Sequence, residues 1–104
     1  MPSIEQLNKL LAIEPNDIFL NFGLAMEYAK SNQPEKAIRQ FQKVLELDPN
    51  YYTACFQWAK LLINTDRRPE AREVLKKGIR TAESCNDRHA KTEMRELLDA
   101  IAES

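Results

Sequence analysis

Residues 37–50 read Ala-Ile-Arg-Gln-Phe-Gln-Lys-Val-Leu-Glu-Leu-Asp-Pro-Asn, and this stretch decides the fold. Its apolar side chains recur three and four residues apart, which is the spacing of one helical face. Pro49 ends the pattern, because proline cannot continue a helix without losing a backbone hydrogen bond. The dipeptide Pro49-Asn50 also occurs 34 residues earlier, as Pro15-Asn16. The stretch is therefore half of a repeat with a period of 34 residues.

The same offset runs through most of the chain. It aligns identical residues of two full periods, namely Phe22 with Phe56, Ala25 with Ala59, Ala37 with Ala71 and Lys43 with Lys77. It also aligns an N-terminal apolar segment, formed by Leu7, Leu10, Leu11 and Ile13, with residues 41, 44, 45 and 47. The sequence therefore predicts a half-period followed by full periods at about residues 18–51 and 52–85.

Capping and turn signals divide these periods into helices. Ser3 and Gln6 match a capping box at the first helix. Pro34 and Pro69 suit the first turn of a helix, where a missing N–H is not needed. Residues typical of N-caps precede two more helices, namely Asn16 or Asp17 and Asn86 or Asp87. We predict one all-α domain over residues 1–104, a stack of about six antiparallel helices. Its parts are a half-repeat helix over 3–14, a repeat over 17–48, a second repeat over 51–83 and a final helix over 87–103.

Composition agrees with this fold and excludes several classes of protein. The 104 residues are 43% hydrophobic and 30% charged, with only two glycines, too few for a Gly-rich phosphate loop or a set of β-hairpins. The net charge of -1 does not indicate nucleic acid or an anionic membrane as a partner. The sequence shows neither an apolar stretch of about 18 residues nor a signal-peptide pattern. We therefore expect a cytoplasmic protein that does not enter a membrane.

The repeat resembles the tetratricopeptide repeat (TPR), a helix-turn-helix unit of the same length. The first period carries the family pattern at Leu24, Ala25, Tyr28, Ala37, Phe41 and Pro49. The second carries it more loosely at Trp58, Ala59, Leu62, Ala71 and Leu75. Asn21 and Cys55 stand where the family has tryptophan, and Asn32 and Asp66 replace the usual small turn residue. The resemblance covers residues 3–85 and implies an α-α superhelical stack, with the polar last helix as its cap.

The resemblance also implies a function. Members of the family bind partner proteins along a face lined by the first helix of each unit. By register, the lining is mostly apolar and comprises Phe19, Phe22, Met26, Ala29, Lys30, Thr53, Phe56, Gln57, Lys60, Ile63 and Asn64. We predict that the partner-binding groove is formed by Phe19, Phe22, Met26, Lys30, Phe56, Gln57, Lys60 and Ile63. The Lys and Asn residues with which some members clamp a peptide carboxylate are missing, since Phe22, Met26 and Gln57 take those places. We expect a scaffold, adaptor or chaperone-like module whose apolar groove holds a peptide or an amphipathic helix of another protein.

Two other uses of the surface are considered. Leu7, Leu10, Leu11 and Ile13 belong to a half-unit, so part of this apolar set is expected to stay uncovered and to favour a homodimer. This self-associating structural unit is the alternative function. A basic stripe on one helix, formed by Arg68, Arg72, Lys76 and Arg80, could touch nucleic acid. No aromatic residues interleave with it, so we interpret the stripe as a solvated outer face and predict no nucleic-acid partner.

The sequence contains few residues that could form a catalytic site. His89 is the only histidine, which excludes a two-histidine metal motif. Cys85 and His89 are four residues apart, but no third group is evident to orient a thiolate–imidazole pair. Cys55 is predicted to be a packing residue and both cysteines to be free thiols. We therefore expect no enzyme activity, no metal site and no cofactor.

Overall fold

The computed structural model describes residues 2–102 of the chain. Its helices are α1 (Ile4–Ile13), α2 (Ile18–Lys30), α3 (Pro34–Leu47), α4 (Tyr52–Asn64), α5 (Arg68–Ser84) and α6 (Arg88–Ala102). These six helices and the turns between them account for residues 2–102, which contain no strand, and the all-α prediction is confirmed. Glu103, the last residue of the predicted final helix, lies outside the described residues. The chain divides into two compact units between Pro49 and Asn50, and the prediction of one domain stays a prediction.

Side-chain caps start three of the helices. The Ser3 hydroxyl accepts a hydrogen bond from the Gln6 backbone N–H at 3.1 Å, and the Gln6 side chain accepts one from the Ser3 N–H at 2.9 Å. This confirms the capping box at α1. At the two helices for which the sequence offers either an asparagine or an aspartate as the N-cap, the aspartate is the cap. Asp17 accepts from the Leu20 N–H at 2.9 Å, and Asp87 accepts from the Ala90 N–H at 3.0 Å.

Left-handed residues end three helices. Asn32, Asp66 and Asn86 have φ values of 59°, 61° and 59°. Asn and Asp tolerate this region because their short polar side chains can hydrogen-bond locally. The two departures from the family pattern, at residues 32 and 66, therefore replace the usual small turn residue with another type that fits a left-handed turn. Each turn lets the next N–H close back on the helix, as from Gln33 to the Tyr28 carbonyl at 2.9 Å.

In the first unit, α2 packs against both α1 and α3. Ala25 of α2 and Ala37 of α3 are completely buried, as expected for small residues where two helices approach closely. Of the N-terminal apolar set that the sequence predicts to be partly uncovered, Leu7 is only 2% exposed, whereas Leu10 and Ile13 are exposed. Leu7 packs on α2 beside Gly23. A Cβ placed at Gly23 would lie 3.7 Å from Leu7 Cδ2.

In the second unit, α5 lies against both α4 and α6. Its buried residues are Ala71, Leu75, Gly78, Ile79 and Ala82. From α6, Met94, Leu98 and Ile101 are buried. These three residues lie along one stripe of α6, and most of the other residues of the helix are polar or charged.

Candidate functional site

In the first unit, the predicted groove residues all lie on α2. Phe19 is 77% exposed, whereas Phe22 and Met26 are half-buried. The Lys30 ammonium lies 3.4 Å from the Glu27 carboxylate, three residues back on the same helix. Because Glu27 already neutralises Lys30, this lysine offers less to an acidic partner than the sequence suggests.

Phe22 also contributes to helix packing in the first unit. Its ring packs against the fully buried ring of Phe41, with centroids 6.2 Å apart and planes tilted by 60°. Such tilted pairs contribute about 0.5–1.5 kcal/mol beyond the area they bury. Truncation of Phe22 would therefore weaken the α2–α3 packing and any binding surface together, so Phe22 is a poor probe of binding.

In the second unit, Phe56, Gln57, Lys60 and Ile63 lie on α4. The Lys60 ammonium sits over the Phe56 ring at 4.3 Å from its centroid, within the range of a cation–π contact. No carboxylate in the described part of the chain is paired with Lys60. Phe56, Gln57 and Ile63 are half-buried and Lys60 is exposed. An aromatic ring and an available cation therefore stand side by side on α4.

Phe56 is also one wall of a small pocket between α4 and α6. The pocket has a volume of about 100 Å³ and is lined by Tyr52, Thr53, Phe56, Ala90, Glu93 and Met94. This is well below the 300–1,000 Å³ of typical small-molecule sites, so it suits a single apolar side chain. Of the pocket-lining residues, Phe56 belongs to the predicted groove, and Thr53 is another of the lining positions that the register predicts. Tyr52 lies one turn before Phe56, so helical spacing could have identified it. The α6 residues could not be predicted from the sequence, because their position depends on how the last helix packs.

A hydrogen bond holds the two helices at the mouth of this pocket. The Tyr52 hydroxyl donates to the Asp87 carboxylate at 2.5 Å, while the other Asp87 oxygen caps α6. The bond from Tyr52, together with the Ala90 backbone N–H, holds the pKa of Asp87 below its usual range. The same bond raises the pKa of Tyr52. Tyr52 thus connects the first turn of α4 to the start of α6.

The groups considered for chemistry are dispersed. Cys55 is buried, and burial raises the pKa of its thiol, so little nucleophilic thiolate forms. His89 Nε2 lies 3.3 Å from the Glu93 carboxylate on α6, whereas the exposed Cys85 is the C-cap of α5. Within residues 2–102, no group of three or more His, Cys, Asp or Glu side chains could hold a metal ion.

The basic stripe lies on α5. Its Lys76 is paired with Glu73 at 3.4 Å, and Arg68 and Arg80 are exposed. Nothing in these contacts favours a polyanion, and the absence of a nucleic-acid partner stays a prediction. Among the described helices, none combines the length and the apolar character needed to cross a bilayer.

Comparison with known proteins places these features in a family. The tetratricopeptide repeat profile matches residues 28–92. A TPR repeat-containing protein of Pseudomonas aeruginosa is 30% identical over 95 residues, which is 91% of this chain and 90% of the relative. The solution structure of a Bordetella parapertussis protein is 27% identical with a TM-score of 0.85, covering 99% of this chain and 90% of that chain. The TPR2B domain of yeast Sti1, solved in complex with pHsp70, has a TM-score of 0.87 at 21% identity, covering 96% of this chain and 80% of that chain.

Proposed function

The chain belongs to the tetratricopeptide repeat family, and from this premise we propose that it binds an extended or helical segment of another protein through the second unit. Members of this family are typically interaction modules rather than enzymes. The observation that carries the proposal is the apolar pocket between α4 and α6, with the Phe56–Lys60 pair beside it. The Sti1 complex with pHsp70 supports it, because a domain of the same fold holds a protein ligand.

The chemistry of the pocket specifies the partner segment. An apolar side chain fills the volume between Tyr52, Phe56 and Met94, since the lining is mostly hydrocarbon and aromatic. A carboxylate next to it in the partner pairs with Lys60, which no acidic group among residues 2–102 neutralises. The partner motif is therefore an apolar residue with an Asp or Glu close by. The α2 residues Phe19, Phe22, Met26 and Lys30 remain predicted contacts, and a variant at the exposed Phe19 tests them.

A peptide selection tests this function. A random peptide library displayed on phage is selected on the immobilised chain and counter-selected on its Thr53→Glu variant. Thr53 is exposed at the pocket, and glutamate in the first turn of α4 is favourable to the helix, so the variant is expected to fold. We expect peptides that combine an apolar residue with an acidic one.

Affinities of variants for the selected peptides then separate the contribution of the pocket from that of the Lys60 charge. Thr53→Glu and Lys60→Glu are each expected to weaken binding of the peptide about tenfold or more. Phe19→Ala tests whether α2 also contacts the peptide. Gln42→Glu and Lys43→Glu make the same charge changes at exposed positions of α3 and serve as matched controls. Equal binding by the pocket variants and these controls would disprove the proposed site. The half-buried Trp58, the only tryptophan, gives a fluorescence check of folding.

A further inference from the structure

The depth of the pocket between α4 and α6 depends on a third helix. The residues that line the pocket belong to α4 and α6, and both of these helices contact α5 at Gly78. A Cβ placed at Gly78 would lie 2.6 Å from Met94 Sδ and 2.8 Å from the Cβ of Cys55, the residue before Phe56. The missing side chain at Gly78 therefore lets Met94 lie close against α5, away from the mouth of the pocket.

Met94 forms the floor of the pocket. It is 1% exposed, whereas the other lining residues are half-buried or exposed and form the sides and the rim. Its thioether end lies against Gly78, since Met94 Cε is also only 3.5 Å from the position of a Cβ there. A methionine side chain is flexible and fills irregular gaps, so it can occupy the space that the glycine leaves. Residue 94 therefore decides how far a partner side chain can enter.

The size of the pocket separates aliphatic from aromatic side chains. An engineered protein cavity of about 150 Å³ holds a benzene molecule. This pocket is smaller, at about 100 Å³. A phenylalanine side chain is larger than benzene by a methylene group, so it enters only if the floor moves, and such overpacking is unfavourable. The side chains of leucine, isoleucine and valine are smaller than benzene and fit without this displacement.

We propose that the pocket accepts an aliphatic side chain of the partner segment and excludes an aromatic one, and that Met94 resting on Gly78 sets this limit. The inference rests on the proposed function and specifies the apolar residue of its partner motif. Charge complementarity supports a protein segment as the occupant, because the Lys60 ammonium lies 4.3 Å from the centroid of the Phe56 ring, beside the pocket. The partner motif is thus leucine, isoleucine or valine with an Asp or Glu close by.

Affinities of paired peptides for the wild-type chain test the size limit. Among selected peptides that bind the wild type but not Thr53→Glu, alanine substitution identifies the apolar residue that enters the pocket. Versions with leucine or phenylalanine at that residue are then compared, and the phenylalanine peptide is expected to bind about tenfold or more weakly. Equal or tighter binding of the phenylalanine peptide would overturn the size limit and leave the proposed function intact. If no peptide distinguishes the wild type from Thr53→Glu, the proposed function is disproved and the size limit fails with it.

Truncation of the floor tests the role of Met94. Met94→Ala deepens the pocket, so the phenylalanine peptide is expected to bind within about twofold of the leucine peptide, or more tightly. Leu98→Ala is the matched control, because it removes another buried side chain of α6 that does not line the pocket, and it should keep the wild-type ratio. The ratio of the two affinities is the readout, since a loss of folded protein lowers both affinities equally. Met94→Val, a smaller truncation, gives the same comparison if the alanine variant does not fold. A wild-type ratio in the folded Met94 variants would refute the assignment of the floor.

A double substitution tests whether Gly78 positions Met94. In Gly78→Ala the added methyl group displaces the Met94 thioether toward the pocket, so the leucine peptide is expected to bind about threefold or more weakly. In the Met94→Ala background the same change has no thioether to displace, and the affinity is expected to change by less than about twofold. Circular dichroism gives the folded fraction by which each affinity is corrected. Equal effects in the two backgrounds would assign the loss to the Cys55 contact and exclude Gly78 as the support of Met94.

Discussion

The two glycines of the chain, Gly23 and Gly78, both lie inside helices, where glycine is normally unfavourable. Their surroundings differ. A Cβ at Gly78 would lie 2.8 Å from Cys55 Cβ, an atom fixed to the backbone of α4, and 2.6 Å from Met94 Sδ. A Cβ at Gly23 would make an ordinary contact with Leu7. The atoms that surround each glycine cannot be read from the sequence, because the nearest ones come from other helices.

Alanine at these two positions is expected to have opposite effects. Gly78→Ala overpacks the contact of α5 with α4 and α6 and should lower the free energy of unfolding by about 1–3 kcal/mol. Gly23→Ala should raise it by up to about 1 kcal/mol, because alanine is the better helix former and space is available. Urea denaturation followed by circular dichroism measures both. A stabilised Gly78→Ala variant would contradict the packing described here.

Asn21 is a buried polar residue whose role the sequence does not reveal. It stands where the family has a tryptophan, and it is 1% exposed. Its side-chain amide donates to the carbonyls of Pro15 and Asp17 at 3.0 and 2.8 Å, and its oxygen accepts from Gln40 at 2.5 Å. A polar residue thus ties the turn before α2 to α3. The departure from the pattern was visible in the sequence, but its hydrogen-bond partners depend on how α2 and α3 pack.

At the scale of elements, the second unit depends on the connection between α4 and α6. The Tyr52–Asp87 hydrogen bond joins the start of both helices, and Asp87 also caps α6. The N-cap could be narrowed from the sequence to Asn86 or Asp87. The tyrosine could not be predicted, because it lies 35 residues away in the chain.

This hydrogen bond predicts a pH-dependent contribution to stability. The folded-state pKa of Asp87 is lowered, so its contribution is present above the unfolded value of about 4 and is lost as the pH falls further. The folded-state pKa of Tyr52 is raised, so its contribution is present below about 10 and is lost as the pH rises further. The stability difference between wild type and Tyr52→Phe should therefore be constant from about pH 5 to 9 and should shrink at both extremes.

Denaturation midpoints of both proteins, measured from pH 3 to 11, check this profile. Tyr28→Phe is the matched control, because the same hydroxyl is removed from a half-buried tyrosine on α2. A wild-type minus Tyr52→Phe difference that does not change with pH would argue against the bond to Asp87.

At the scale of the whole molecule, the two cysteines report on opposite environments. Cys55 is 1% exposed on α4, and burial raises the pKa of its thiol. Cys85 is exposed at the end of α5. Because stability in repeat proteins comes mainly from contacts between neighbouring helices, Cys55 becomes accessible only when the packing of α4 opens.

Thiol labelling at pH 8 should therefore occur in two phases. Cys85 is expected to react at once, and Cys55 at least about a hundredfold more slowly, in step with opening of the structure. The Cys85→Ser variant isolates the slow phase, and unfolding in denaturant should make both thiols react rapidly. Equal rates for the two thiols in the native protein would contradict the burial of Cys55.

The amino-acid sequence by itself determined the period, the helices and the family, because these depend on residues near each other in the chain. Helical spacing, prolines at helix starts and Asn or Asp at caps and turns act locally, so they can be read in order. Tertiary structure decided which side chains remain available. It buried Leu7 against α2, paired Phe22 with Phe41, neutralised Lys30 and formed a pocket from Tyr52, Phe56 and Met94. These outcomes depend on which helix lies against which, since burial and hydrogen bonding are set by atoms distant in sequence.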